Sequence, residues 1–555
     1  MVFILEQQQE KLCRYLAWAT IIHEAHDDIH PRAATSYLNV LPVFCGVNDQ
    51  HFLQGAKTAK MAAQYAISLA VVMVTLSVVS PMSAQPSRPL HLSPYINRGQ
   101  IGKARVLSKV KDTCRSESRS DCGVGIPESF SGFITVDKAV GKHMFFWYFP
   151  SQVSPDAPVT IWLNGGPGVS SMLGLLWEQG PLQPRRRSTG AARSQRSQGC
   201  TRGKTECADE FIPGELEQRN NSWVGPFSML YIDNPVGAGY SYQQRQSPDE
   251  VITQETYAED LYQFVKQFYQ LFPDSYNKEL YIGGQSYAAK FASALAFRIH
   301  EVIQNGESKL PLAGLYLGSP FFAPEITIPA QIDYLYNLGV VTRSQATKHQ
   351  ADMIAAIRKY SKGTKRRQLS TKTILDEVFF KGLPSNDNYV TSEVVDYSVI
   401  DRIMTSPRVR LAVHAGNQPF NAINHDLYDK MGYDYLSSTS TKLAALLDTG
   451  RYKVLIFNGD YDVVTSSGAV EEAVQQIPWT GRDDYLKEPR QMWFWPPRPD
   501  KLDETKLFGF YTLSRDLCRV VVHGAGHQVP HDQLDISRYM MEQFVNLGCV
   551  LTWPF

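Results

Sequence analysis

The chain has 555 residues, and its 55 Lys and Arg balance 55 Asp and Glu, so the formal net charge is zero. A chain without a cationic surplus is not built to hold nucleic acid through its overall field. Hydrophobic residues make up 43%, charged residues 20% and aromatics 11%, the range of a globular chain, which excludes a mainly disordered or fibrous protein.

Residues 1–84 read as a leader. The apolar run Ala66–Val79 follows Lys57, Lys60 and Met61 and leads into small and turn-forming residues up to Ala84. A basic flank, an apolar stretch and a small residue make a secretory signal ending near Ala84, with Met61 as the start. The other reading keeps residues 1–60 and uses 62–80 as a signal-anchor, the one route by which this chain would hold a membrane. His23, Glu24, His26, Asp27, Asp28 and His30 are spaced like metal ligands. A solvated polar stretch, absent from the mature chain, is the simpler account. Downstream, Cys114, Cys122, Cys200, Cys207, Cys518 and Cys549 are compatible with three disulfides whose pairing the spacing does not give. Asn220-Asn221-Ser222 is a glycosylation sequon with Asn220 as acceptor. These features point to the secretory pathway and a secreted or lysosomal product.

From about residue 130, short β-branched and aromatic runs alternate with longer amphipathic ones. Strands are predicted at His143–Phe149, Pro158–Leu163, Ser228–Ile232, Leu280–Ile282, Leu312–Leu317, Tyr452–Phe457 and Arg519–His523. Helices are predicted at Glu255–Phe272, Ala288–Ile303, Gln331–Leu338, Ala469–Gln476 and Ile536–Leu547. This alternation gives an α/β fold with a mostly parallel sheet flanked by helices. Two stretches interrupt it. Residues 184–219 are rich in Arg and poor in apolar residues, and read as a flexible insertion open to proteolysis. Residues 340–440 are polar and helical and read as a cap, dividing the core into 85–339 and 441–555.

Ser286 sits between the strand ending Leu280-Tyr-Ile-Gly-Gly-Gln and the helix opening at Ala288. A serine among small residues at a strand-to-helix turn is a nucleophile elbow, with the helix N-terminus behind it to stabilise an oxyanion. Such a serine needs a base, and the base needs an orienting acid. Asp460 and Asp462 follow the strand Tyr452–Phe457, and His527 follows Arg519–His523, in the order Ser, Asp, His. His523, His527, His531 and Asp532 are a weaker zinc candidate, because Gly524 and Gly526 break the helical spacing a ligand pair needs. Asn164-Gly-Gly-Pro-Gly168 lacks the Lys-Ser/Thr ending of a phosphate loop and is better placed to give a second oxyanion N–H.

The set WLNGGPGVSS (162–171), YIDNPVGAGYSY (231–242), GGQSYAAKF (283–291), VLIFNGDYD (454–462) and GAGHQVP (524–530) resembles the serine carboxypeptidases, within them the vitellogenic-carboxypeptidase-like branch. The resemblance spans roughly 130–550 in family order. It implies an α/β-hydrolase fold with a helical cap, Ser286 as nucleophile, His527 as base and Asp462 rather than Asp460 as its orienter. Gly166 and Tyr287 would supply the oxyanion N–H groups. The substrate's terminal carboxylate would meet Asn164, Gly165, Glu178 and Gln285. It implies peptide or protein C-termini as substrates and no metal or organic cofactor, and relatives that form homodimers. At 285 the family usually has Glu, and at 289 Gly rather than Ala. Two rival readings stand beside it: an acyltransferase of the same fold, and a catalytically silent secreted binding protein.

Overall fold

The computed structural model describes residues 88–111, 126–186, 211–245, 251–361, 387–392, 394–494 and 506–549. The strands in chain order are β1 (Phe130–Asp137), β2 (Lys142–Phe149), β3 (Val159–Leu163), β4 (Leu182–Arg186), β5 (Phe211–Gln218), β6 (Ser228–Ile232), β7 (Tyr242–Gln243), β8 (Leu280–Gln285), β9 (Leu312–Gly318), β10 (Lys453–Gly459), β11 (Gln491–Phe494), β12 (Leu507–Ser514) and β13 (Leu517–Val522). Eleven of them form one sheet in the order β1-β2-β6-β3-β8-β9-β10-β13-β12-β11, with β7 on β2. The pairs from β6 through β3, β8, β9 and β10 to β13 are parallel, and the pairs towards both edges are antiparallel.

Every residue of β3, β6, β8 and β13 is buried, as a parallel centre covered by helices on both faces requires. Side chains alternate between the faces. Ile161 and Leu163 enter one core with Leu230, Ile282 and Leu295. Trp162 enters the other with Tyr231, Tyr281, Leu455 and Val520. Helices Gln254–Leu271 and Ala288–Gln304 pack on the first face, the latter buried through nearly all of its first half. Parallel strands share one rim for their C-terminal ends, so the loops after β3, β8, β10 and β13 meet there. The fold is that of an α/β-hydrolase.

Three features differ from the sequence reading. The helix expected at Gln331–Leu338 starts at Pro324 and runs to Asn337, with Pro324 in its first turn and Pro329 inside it. Proline is welcome at a helix start and reads as a breaker elsewhere, which hid that first half. The segment expected to be flexible over 184–219 has paired ends: Leu182–Arg186 and Phe211–Gln218 form a separate antiparallel ribbon. Edge strands β1, β11 and β12 also went unread. Cys518 and Cys549 are disulfide-bonded, fastening β13 to the chain just past helix Leu534–Leu547. Cys114, Cys122, Cys200, Cys207, the leader and its Ala66–Val79 run lie outside the described residues. Among the described residues no helix is long and apolar enough to cross a membrane.

The chain before β1 adds itself to the sheet edge, where Leu92 N donates to Phe133 O and Phe133 N to Leu90 O. His91 on this segment lies 4.3 Å from the His143 ring, and His143 Nδ1 faces Thr135 Oγ1 at 3.0 Å. Burial first, and then the neighbouring His91, hold His143 down to about 4, and burial does the same to His414. The unfolded chain therefore binds protons that the folded chain refuses. These two histidines cost nothing above pH 6.5, and stability is lost as pH falls from there towards 4. His143→Phe is expected to flatten the fall of Tm over that window relative to the natural chain; parallel Tm–pH curves from calorimetry would contradict this.

Candidate active site

Ser286 follows β8 with φ +58°, a left-handed conformation that a non-glycine residue holds only where its surroundings impose it. Here the backbone imposes it, since Ser286 N donates to Gly318 O at 2.9 Å and Ser286 O accepts from Phe321 N at 3.0 Å. A Cβ at Gly284 would lie 2.3 Å from Ala288 O, so only glycine lets the strand reverse into the helix. A Cβ at Gly165 would lie 2.7 Å from both Gln285 O and Tyr287 N. The glycine loop after β3 thus rests directly on the elbow at Gly165.

Two Asp–His pairs follow β10 and β13. Asp462 is fully buried, and its Oδ1 accepts from Val464 N and Thr465 N at 2.8 and 2.9 Å. Its Oδ2 faces His527 Nδ1 at 3.0 Å, which makes Nδ1 the protonated nitrogen and leaves Nε2 of the neutral ring as the acceptor. Asp460 instead faces His523 Nδ1 at 2.7 Å and takes Gly524 N at 2.9 Å, in a pair whose histidine side chain is 45% exposed. The His527 carbonyl accepts from Gln285 Nε2 at 3.0 Å and from Ser319 Oγ at 2.9 Å. The histidine loop is therefore bonded to the residue next to Ser286. Burial pushes the His527 imidazole down, but Asp462, then Asp387 and Glu178, outweigh it and the net shift is upward.

Asn164 joins the rest. Its Oδ1 accepts from Trp162 Nε1 at 2.9 Å and Gly174 N at 3.1 Å, which fixes the orientation of the amide. Its Nδ2 then donates both hydrogens, one to Glu178 Oε1 and one to Gln285 Oε1, each at 2.9 Å. Glu178 is fully buried at the end of the turn Gly174–Glu178, and its Oε2 has no hydrogen-bond partner. Burial raises its carboxyl to about 7 against the opposing pull of Asn164, His527 and Arg219. Of the four residues expected at a terminal carboxylate, three are thus bonded to one another, and Asn164 spends both amide hydrogens inside the network.

Sequence reasoning missed several neighbours. Arg219 donates to the carbonyls of Leu176 and Glu178 at 2.7 Å each, holding the end of the Glu178 turn. It lies at the close of an Arg-rich stretch that reads as solvent-exposed. Lys290 is fully buried and donates to Asp434 O and Tyr435 O at 2.8 and 2.7 Å, while the Tyr287 and Tyr257 hydroxyls donate to Asp434 Oδ2. Asp387, from the cap, accepts the His527 N–H on its carbonyl at 2.6 Å. The alternative zinc cluster does not assemble: His531 stacks on Trp177 and faces its carbonyl at 3.0 Å, and His523 pairs with Asp460. Among the described residues no group of His, Cys, Asp or Glu could hold a metal. Asn220 stands exposed beyond β5.

The sequence pattern of the family described as serine carboxypeptidase matches residues 125–547. The human "Probable serine carboxypeptidase CPVL" is 30% identical over 485 residues, 84% of this chain and 92% of that protein. "Vitellogenic carboxypeptidase" of Aedes aegypti is 30% identical with the same coverage, and "Venom serine carboxypeptidase" of Apis mellifera 30% identical over 80% of this chain and 88% of its own. Among solved structures, Kex1ΔP, a prohormone-processing carboxypeptidase from Saccharomyces cerevisiae, superposes with a TM-score of 0.62 at 19% identity, covering 80% of this chain and 96% of its own.

Asn164→Ala would leave the Trp162 N–H, the Gly174 N–H and the Gln285 oxygen buried without partners. The expected loss is about 2–4 kcal/mol in denaturant unfolding. A loss below about 1 kcal/mol would show that the network does not depend on this amide.

Proposed function

The chain belongs to the serine carboxypeptidase family, and from that premise we propose that it removes C-terminal residues from peptides through an acyl-enzyme on Ser286. The observation that carries this reading is the buried 3.0 Å contact of His527 Nδ1 with Asp462 Oδ2, on a loop bonded through Gln285 to the turn of Ser286. Ser286 Oγ attacks the last peptide carbonyl while His527 Nε2 takes its proton. The Gly166 and Tyr287 N–H groups hold the oxyanion. Collapse breaks the C–N bond, and His527 returns the proton to the departing amino acid. A water then attacks the ester, losing its proton to His527, and the shortened peptide leaves as Ser286 recovers its hydrogen.

An exopeptidase must recognise the free carboxylate one residue past the scissile bond. In this reading, Glu178 meets it as a neutral acid, its unpartnered Oε2 donating, with the Gly165 backbone and the second Gln285 N–H beside it. Asn164 serves by orienting Glu178 and Gln285. Export through the secretory pathway is supported by the Ala66–Val79 run and by the Cys518–Cys549 bridge, since such bridges persist in oxidising compartments. The exposed Asn220 suits a glycan.

Catalysis needs His527 neutral and Glu178 protonated. His527 titrates above 6.5, so activity falls on the acid side; Glu178 titrates at about 7, so carboxylate recognition fails above it. The two groups share one proton in the working range and titrate as a pair. The expected kcat/KM profile is a narrow bell in the mildly acidic to neutral range. Gln285→Glu places a second carboxyl against Glu178; the pair loses its first proton earlier, and the alkaline limb moves to lower pH. Superimposable limbs would refute that role for Gln285. Fluorophosphonate labelling of Ser286, together with release of amino acids from blocked dipeptides, tests the reaction itself; labelling with ester turnover but no trimming would favour acyl transfer instead.

A further inference from the structure

We infer that the cap residues Asp387, Asn388 and Tyr389 clamp the two loops that carry Asp462 and His527, and that Asp387 is a positioning residue whose carboxylate acts on His527 as a second anion beside Asp462. The inference rests on the proposed role of His527 as base.

The backbone bonds define the clamp. His527 N donates to Asp387 O at 2.6 Å, and Tyr389 N donates to Tyr461 O at 3.0 Å, one residue before Asp462. Tyr461 N in turn donates to Ala525 O at 2.9 Å, closing a ring between the cap and both loops. Asn388 Nδ2 donates to Asp532 Oδ2 at 2.9 Å, and the same oxygen takes Gly526 N at 2.6 Å. The crossing is too close for any side chain at 526, where a Cβ would lie 2.3 Å from Asp387 O and 2.6 Å from Asn388 Cα. Gly526 is therefore the residue that admits the clamp.

The carboxylate is placed by the same turn. Val395 N donates to Asp387 Oδ2 at 3.2 Å, folding the cap chain back on itself. The charges of His527, Asp462 and Asp532 bear on the Asp387 carboxyl, and those of Asp462, Asp387 and Glu178 on the His527 ring. Arg219 acts on Glu178 and donates to the carbonyls of Leu176 and Glu178. Burial works against the ionised form of Asp387, and His527 does most to restore it. Imidazolium and carboxylate thus support each other across the boundary between cap and core. When His527 holds the serine proton during acyl transfer, a second anion stabilises it at low local dielectric. A cap segment that shifted away would remove that anion and release the His527 N–H together.

The test is the pH dependence of Ser286 inactivation by a fluorophosphonate, a probe without a terminal carboxylate, so its acid limb follows His527 rather than recognition by Glu178. Asp387→Asn keeps the backbone bond and removes the charge. The acid limb is expected to move about half a unit to one unit lower, with a several-fold slower plateau, and Asp387→Glu to recover part of both. Asn388→Ala keeps the Asp387 carboxylate and removes both the tether to Asp532 and the oxygen that accepts from Val390 N and Thr391 N; it should slow the plateau and leave the limb in place. Limbs that coincide for the natural chain and Asp387→Asn, with Tm unchanged, overturn the inference while leaving Ser286 as nucleophile. A natural chain whose Ser286 is not labelled at all overturns the carboxypeptidase reading and the inference with it.

Discussion

The site depends on a carboxyl group that the fold buries and that, among the described residues, no lysine or arginine side chain pairs with directly. Glu178 is fully enclosed, receives one hydrogen bond from Asn164, and meets Arg219 only through the backbone of its own turn. Ionising such a group in an apolar interior costs several kcal/mol, so it keeps its proton to a higher pH instead. Burial holds that state against the opposing pull of Asn164, His527 and Arg219. Trp162 and Gly174 fix the Asn164 amide, which aims its hydrogens at Glu178 and Gln285, and Gln285 passes the constraint to the His527 carbonyl. One chain of hydrogen bonds therefore runs from the glycine loop, past Glu178, to the histidine loop.

This chain couples two titrations that the proposed chemistry keeps apart. His527 is held upward by Asp462, Asp387 and Glu178 against its burial, and Glu178 is held upward by burial against His527. A proton on Glu178 with a neutral imidazole, and a proton on His527 with an ionised carboxyl, are the same charge state arranged in two ways. In the proposed reaction, an arriving substrate carboxylate would favour the first arrangement, because it would repel an ionised Glu178 and accept a hydrogen bond from a neutral one, and binding would deliver the imidazole in its basic form. A glutamine at 285 leaves this exchange to one carboxyl instead of two.

Much of this architecture was legible in the sequence. The seven predicted strands all appear, and six of them lie in the parallel centre, where largely buried strands read as unbroken β-branched and aromatic runs. The edge strands did not stand out: β12 alternates glycine and polar residues with apolar ones, and β1 opens Phe-Ser-Gly. Ser286 and the glycines around it were visible because steric crowding restricts what such a turn accepts. Arg219 and Asp387 were not, since both lie in polar stretches where composition suggests solvent. Their roles come from tertiary contacts with a turn and a loop far away in the chain, and no local periodicity carries that information.

The two Asp–His pairs show where residue pattern ends and packing begins. Asp460 with His523 and Asp462 with His527 sit two and four residues apart on the same pair of loops, with side-chain contacts of 2.7 and 3.0 Å. By distance alone the first pair is the closer. Its histidine side chain is 45% exposed, however, so solvent and salt screen it and it contributes little. In the second, the histidine side chain is 9% exposed and the aspartate 0%, and two backbone N–H groups hold the carboxylate in place. Only there does the attraction act at low dielectric on a ring that cannot rotate away, and only there does the adjoining carbonyl reach the turn of Ser286. What separates the proposed catalytic pair from the surface ion pair in this chain is enclosure, supplied by the Gln285 bond on one side and the Asp387 crossing on the other.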